Sequence, residues 1–220
     1  MGFFSGLLDL FFPPKCVFCR RVLPYGAHGS CDKCKESLPR MEAPRRSTFC
    51  VKCVAPLRYE GNVREAFIRF KFHDQSAYAT EFARIMADSI RKELSGEYDL
   101  ITWIPVSEKR RKERGYDQAM LLAMAVALEL NDVAVETLRK ERDNPAQSSL
   151  AGQEERLKNV KNAYVVSEPQ LVDGKRILLI DDILTTGATM DEAAKVLLKS
   201  GAQAVLGAAL AQPSHIRNNT

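Results

Sequence analysis

Residues 177–190, Ile-Leu-Leu-Ile-Asp-Asp-Ile-Leu-Thr-Thr-Gly-Ala-Thr-Met, restrict the possible folds more than any other part of the chain. Ile177 to Ile180 are apolar at every position, the pattern of a strand buried on both faces in a parallel sheet covered by helices. The run stops at Asp181 and Asp182, which places two carboxylates at the strand's carboxyl end, where open α/β sheets bind their ligands. A loop of small residues follows, Thr185-Thr186-Gly187-Ala188-Thr189, and then a helical pattern with Ala193, Val196 and Leu197 on one side. Hydroxyls and unobstructed N–H groups at a helix N-terminus form an anion site suited to phosphate. Paired acids beside that cradle suit a ribose 5-phosphate, its vicinal diol on the carboxylates and its phosphate in the loop. Capping a helix is the simpler use of an acid, but a cap takes one acid and needs no Thr-Thr-Gly.

This segment resembles the phosphoribosyl pyrophosphate (PRPP) loop of type I phosphoribosyltransferases. Around it, the pattern alternates between helical and strand periods. Helices are expected over 63–72, 76–94 and 118–130, and strands over 100–106, 133–137, 163–166, 177–181 and 204–209. Residues 139–152 are polar and carry Asn144-Pro145, which reads as a long loop of the functional or mobile kind. The β-α alternation predicts a parallel sheet with helices on both faces.

The first fifty-odd residues are different in kind. All 6 cysteines precede residue 54, and the segment has little periodic apolar content. It cannot bury much core and needs another source of stability. A division follows, with a cysteine module over 1–57 and the α/β domain over 58–220. The cysteines form three Cys-x-x-Cys pairs, Cys16/Cys19, Cys31/Cys34 and Cys50/Cys53, with 11 and 15 residues between successive pairs. Two such turns complete a tetrahedral Zn²⁺ site, and both spacings are near those of zinc ribbons. Cys16, Cys19, Cys31 and Cys34 are the favoured ligands because the shorter loop costs least to close. Cys50 and Cys53 are left as a reduced pair packed nearby. Disulfides are the alternative, disfavoured in the cytosol. Four thiolates leave no open position, so the zinc is expected to be structural.

The chain of 220 residues, 45% hydrophobic and 27% charged, is ordinary for a soluble protein, and a net charge of +4 permits an anionic ligand without demanding nucleic acid. Residues 1–12 are strongly apolar but carry Asp9, lack a basic leading region and run into Pro13-Pro14. A signal peptide is not expected there, and the stretch is too short to span a membrane. A short helix docked on the protein's own core is expected, with membrane contact as the alternative and no stable insertion. The location inferred is cytoplasmic.

The strand over 100–106 leads into Val106-Ser107 and then Lys109-Arg110-Arg111-Lys112-Glu113-Arg114, with five cations in six residues. Arginine forks match diphosphate geometry, although a charge run is commonly just a solvated face. Gly115, ahead of a long helix, favours backbone approach to an anion. Lys71 ends an earlier helix and adds a cation of unassigned direction, and His73 reads as a surface residue.

With these motifs in order, the chain resembles the ComF/ComFC-type family of competence-associated, phosphoribosyltransferase-like proteins. The resemblance rests on the amino-terminal Cys-x-x-Cys pairs, the Pro105-Val106 segment and Arg114-Gly115-Tyr116-Asp117-Gln118. It continues through Gln147 with Arg156 and Asn159 to Asp181–Thr189. It implies a type I phosphoribosyltransferase domain preceded by a small four-cysteine zinc-binding domain, with Mg²⁺-dependent transfer of ribose 5-phosphate from PRPP. Asp181 and Asp182 are then catalytic. Thr185, Thr186, Gly187, Ala188, Thr189, Val106, Arg114, Gly115, Gln118, Gln147, Arg156 and Lys71 bind substrate, and 139–156 closes as a lid. The implied setting is DNA uptake, with competence proteins and single-stranded DNA as partners. The competing implication is a non-catalytic PRPP or nucleotide sensor that handles that DNA. Two departures stand out: Asp117 replaces the usual Asn, and a fourth Cys pair found in some relatives is missing.

Overall fold

The computed structural model describes residues 13–72, 76–141 and 161–214. The amino-terminal apolar stretch, His73, Gln147, Arg156 and Asn159 lie outside the described residues, as does most of the expected lid.

The centre of the molecule is a parallel sheet. Strands β1 (Cys53–Val54) and β2 (Leu57–Arg58) form one edge. Strands β3 (Leu100–Trp103), β6 (Arg176–Ile183) and β7 (Ala204–Gln212) complete it in the order β1-β7-β6-β3. β2 continues the β1 edge along β7, pairing Leu57 with Ala211 where β1 pairs Cys53 with Gly207. Pro56 stands between the two segments, where a residue without an N–H interrupts a ladder at least cost on an edge. The division expected at 57/58 therefore falls inside this edge. Beyond β3 the expected strand over 133–137 is reduced to one parallel bridge, Ala134 to Ile101.

Alternation along β6 divides the core. Leu178 and Ile180 face α3 (Ser76–Leu94) and α5 (Gln118–Leu130), together with Phe67 and Phe70 of α2 (Gly61–Phe72). Ile177 and Leu179 face α7 (Ala188–Lys199) through Met190, Ala193 and Leu197. A strand with buried residues on both sides needs an unbroken apolar run, and Ile177–Ile180 supplies it.

Three local elements depart from the expectation. The charge run folds as α4 (Glu108–Arg114), with the Ser107 hydroxyl accepting from Arg110 N at 3.4 Å as its N-cap. The long loop begins as β4 (Leu138–Lys140), antiparallel to β5 (Tyr164–Val166). β6 runs on through both aspartates to Ile183, so the acids sit within the last strand residues. Short helices α1 (Asp32–Ser37) and α6 (Pro169–Val172) complete the described elements. No described helix is long and apolar enough to cross a membrane.

The cysteine pairs separate across the sheet. Cys16, Val17, Phe18 and Cys34 belong to the core on the α3 side, where Phe18 and Phe82 lie 6.0 Å apart. Cys50 and Cys53 are buried on the α7 side. The third pair thus packs beneath α7 on the opposite face, away from the first two. A side chain at Gly207 would place Cβ 2.8 Å from Cys53 Sγ and 3.1 Å from Met190 Sδ, so glycine alone lets β7 and this pair approach.

Candidate functional site

At the carboxyl end of β6, each acid is fixed by the backbone that follows it. Asp181 Oδ1 accepts from Asp182 N at 2.8 Å, and Asp182 Oδ1 accepts from Ile183 N at 2.6 Å. Both residues are half-buried, so a ligand can reach them. Burial, then the neighbouring Asp182 carboxylate, pushes the Asp181 carboxyl well above the usual carboxylate range. Lys71 Nζ lies 3.7 Å from Asp182 Oδ2, which gives this cation the direction the sequence left open. It is anchored in turn: the Tyr116 hydroxyl reaches the carbonyls of Phe70 and Lys71, each at 2.8 Å, and fastens the end of α2 to the turn before α5.

The chain then turns through Leu184 and Thr185 into α7. Gly187 is the N-cap at φ 86, a left-handed conformation that L side chains adopt only under strain. A side chain there meets only ordinary contacts, so backbone conformation rather than space dictates the glycine. The Thr186 hydroxyl accepts from Ala188 N at 3.3 Å. Thr185, Thr186 and Thr189 are half-buried around the helix end, and Gly187 and Ala188 are buried beneath them.

Val106, Gly115 and Gln118 gather at the neighbouring end of β3. Asp117, 3% exposed, holds that corner together. One oxygen accepts from Val106 N at 2.9 Å, and the other caps α5 by accepting from Met120 N at 3.1 Å. Burial raises the Asp117 carboxyl despite the N–H groups of Val106, Met120 and Ala119 that pull it down. The Val106 N–H is therefore engaged by Asp117. An Asn side chain offers one acceptor where Asp117 uses two, which is the physical content of this departure. Gly115 ends α4 in the left-handed region, and Gln118 is buried in the first turn of α5. Arg114 is described in its backbone alone.

The sequence reasoning missed the fastening roles of Asp117 and Tyr116. The signal was available in their place between a turn glycine and a long helix. It also missed Tyr164, whose phenol is pushed up by burial and then by the nearby Asp181 charge.

The other cluster is the set of thiols. The sulfurs of Cys16, Cys19, Cys31 and Cys34 all lie within 4.8 Å of one another, and Cys19 Sγ to Cys31 Sγ is 3.7 Å. A tetrahedron with Zn–S bonds of about 2.3 Å has edges of about 3.8 Å, so the donor set fits zinc. The first pair sits in a tight knuckle: Cys16 N donates to Arg21 O and Arg20 N donates to Cys16 O, with Arg20 at φ 64. Cys31 precedes α1 and Cys34 lies in its first turn. Burial opposes ionisation at Cys16, yet the N–H groups of Cys19, Cys31 and Phe18 bring its thiol down to about 7.

Two contacts fasten this knuckle to the α/β domain. Arg69 Nη2 donates to the carbonyls of Val17 and Phe18 at 3.0 and 2.8 Å, while its Nε donates to the Tyr78 hydroxyl at 3.2 Å. Ser30 donates to the buried Glu81, whose oxygens also accept from Arg84. Across the sheet, Cys50 and Cys53 divide their protons unevenly. The hydrogen bond between them raises Cys50 and lowers Cys53.

Comparisons with known proteins match both halves. Residues 117–218 fit the model of the phosphoribosyl transferase domain, and residues 7–66 fit the double zinc ribbon domain. The chain is 30% identical to competence protein ComFC of Streptococcus pneumoniae over 183 residues, 78% of each protein. It is 28% identical to competence protein ComFC of Bacillus subtilis over 194 residues, 84% of this chain and 72% of that protein. It is 27% identical to DNA utilization protein YhgH of Escherichia coli K12 over 217 residues, 88% of this chain and 94% of that one. Among solved structures, adenine phosphoribosyltransferase from Thermoanaerobacter pseudethanolicus matches with a TM-score of 0.39 and 17% identity. That match covers 80% of this chain and 85% of the other.

Proposed function

The chain belongs to the ComF/ComFC family of competence and DNA-utilization proteins, and from that premise we propose that it is a PRPP-binding phosphoribosyltransferase acting in the use of external DNA. One observation carries the reading. A single connection runs from two half-buried carboxylates at the end of β6 to a glycine-capped helix ringed by threonines. That spacing holds a sugar diol at one end and a phosphate ester at the other.

In this reading Asp181 and Asp182 accept hydrogen bonds from the ribose hydroxyls and face the positive charge that develops on the ring as pyrophosphate leaves. Thr185, Thr186, Thr189 and the α7 amides bind the 5-phosphate and orient the reacting carbon from a distance. Lys71 relinquishes part of its pairing with Asp182 when the diol arrives. The hard oxygens of the aspartates are the donors magnesium takes, and magnesium, when bound, stabilises charge on the departing pyrophosphate. The bond from the anomeric carbon to pyrophosphate breaks, and one to the acceptor forms. The acceptor stays open, because the fold and donor motif do not fix it.

The zinc ribbon supplies stability to a segment with little core of its own, and a cytoplasmic setting with reduced thiols suits it. A cleft lined by Lys109, Arg139 and Lys140, together with Glu108 and Glu141, favours a second reading, in which PRPP binding regulates contact with a single-stranded DNA backbone. DNA binding with a steep salt dependence, and no pyrophosphate release, supports that alternative.

The deciding experiment is calorimetric titration with PRPP and Mg²⁺, followed by a pyrophosphate-release screen over nucleobases and oligonucleotides. Binding should occur and should vanish in the Asp181→Asn, Asp182→Asn double variant. A wild-type chain that ignores PRPP at millimolar concentration overturns the proposal.

A further inference from the structure

Arg45 belongs to the amino-terminal module by sequence, yet it reaches the loop at the start of α7. Its backbone is clamped to β1, with Arg45 N donating to Cys53 O at 2.9 Å and Cys53 N donating to Arg45 O at 2.7 Å. The following residues turn back through Ser47 and Cys50, and Phe49 N donates to Asp191 Oδ1 at 3.0 Å on the first turn of α7. The hairpin is thus tied at one end to the sheet edge and at the other to the helix. From it, Arg45 Nη2 lies 3.5 Å from the position a Cβ would occupy on Gly187. Arg45 Nη1 is buried and has no hydrogen-bond partner among the described residues. No described carboxylate lies within ion-pair distance of the guanidinium.

A buried guanidinium nitrogen without an acceptor is a costly arrangement, and it marks a place built for one. The adjoining helix end carries only about half a positive charge, which leaves most of a phosphate monoester dianion unanswered. Lys71 is engaged with Asp182, and Asp191 on the first turn of α7 gives Oδ1 to the Phe49 N–H while its Oδ2 lies 3.9 Å from the same Gly187 Cβ position. We infer that Arg45, presented by the Cys50–Cys53 hairpin, is a ligand of the sugar 5-phosphate and completes the cradle formed by Thr185–Thr189. This rests on the proposed PRPP site and extends it to a second module. The third cysteine pair then has a positioning task, since it fixes the hairpin beneath α7 through contacts with Gly207 and Met190.

The test titrates PRPP, ribose 5-phosphate and inorganic pyrophosphate into the wild-type chain, Arg45→Gln and Arg45→Lys. Losing a charged donor to an anion should weaken PRPP and ribose 5-phosphate in Arg45→Gln by about tenfold to a hundredfold. Pyrophosphate, which contacts the other end of the site, should bind as before. Arg45→Lys should recover part of the loss by charge without the planar fork. Thermal unfolding and zinc content check that each variant is folded. If Arg45→Gln does not fold, Arg45→Lys decides alone: unchanged ribose 5-phosphate affinity overturns the inference, and a several-fold loss confined to the phosphorylated sugars upholds it. Wild-type binding of PRPP with equal affinity in Arg45→Gln refutes this inference and leaves the proposed function standing. Failure of the wild type to bind PRPP removes both.

Discussion

Replacing Arg69 by Met should free the zinc knuckle from the domain it rests on. In the native chain, one Arg69 nitrogen donates to the carbonyls of Val17 and Phe18, residues that are 2% and 0% exposed. Those oxygens have little water to turn to when the donor goes. A charged donor to a buried acceptor contributes about 1.5–3 kcal/mol. Both bonds leave from the same nitrogen, so their losses do not add, and the side chain is 21% exposed, which screens the charge further. The pair with Glu65 at 3.7 Å adds little, because that carboxylate is 63% exposed. The net cost is therefore about 2–3 kcal/mol. In a chain of this size that corresponds to a fall of about 5–10 °C in unfolding midpoint. The same loss should speed zinc transfer to a metallochromic dye, since the Cys16–Cys19 turn loses its outer support. Arg69→Lys keeps the charge but not the fork, and should fall between the two. A wild-type midpoint and a wild-type zinc-release rate in Arg69→Met would show that the knuckle holds itself, and the argument for docking through this residue would be wrong.

Zinc chelation should expose residues 15–38 to protease first, while 53–58 stay protected by pairing with β7; mass mapping of early fragments checks this, and early cleavage at 53–58 contradicts it. Asp117→Asn should strip protection from the Val106 or the Met120 amide by about tenfold or more in hydrogen exchange, since one of two acceptors is lost; unchanged rates at both refute the role given to Asp117. Asp181→Asn should raise the unfolding midpoint at neutral pH and have little effect near pH 4. The folded carboxyl is raised above its unfolded value, so its stabilising contribution is complete below the unfolded pKa of about 3.9 and is lost as pH rises through the folded one. A midpoint difference independent of pH contradicts that sign. Gly187→Val should cost more than about 1 kcal/mol of stability and weaken ribose 5-phosphate, because φ 86 suits no branched side chain; unaltered affinity in calorimetry shows that the loop is not the cradle.

What was legible in the sequence is what local pattern determines. An apolar run closed by two acids predicts a central strand buried on both faces with carboxylates near its carboxyl end, and β6 has that form. Helix α5 begins and ends where its periodicity does, because Asp117 caps one end and Asn131, at φ 55, terminates the other. The Cys-x-x-Cys spacing brought four sulfurs together because a knuckle and a short helix each present two thiols from a few residues. The strand expected over 133–137 shrinks to a bridge. Its residues run beside β3, with Val135 N donating to Ile101 O and the Thr137 hydroxyl bonded to that of Thr102, but a single bridge at Ala134 is too little backbone pairing for a strand. The charge run became a helix because Ser107 caps it and Glu108 suits its first turn.

The harder failure concerns the third cysteine pair and Arg45, whose places are set by the topology of the whole sheet. Cysteine spacing counts residues along the chain, whereas the chain has already crossed to the α7 face when it joins the β7 edge at Val51 and Cys53. The pair that looked spare beside one zinc site is thereby delivered beneath α7, 142 residues away in sequence where Phe49 meets Asp191. An arginine beside such a pair has no local reason to face the start of α7. It does so because its backbone is bridged antiparallel to Cys53 on the sheet edge, while the turn beyond it is tied to Asp191 on the first turn of α7. In this chain the cysteine-rich module and the loop proposed to bind the sugar phosphate therefore meet at Gly187. Mutations in the hairpin should be read first through ligand affinity and only then through zinc.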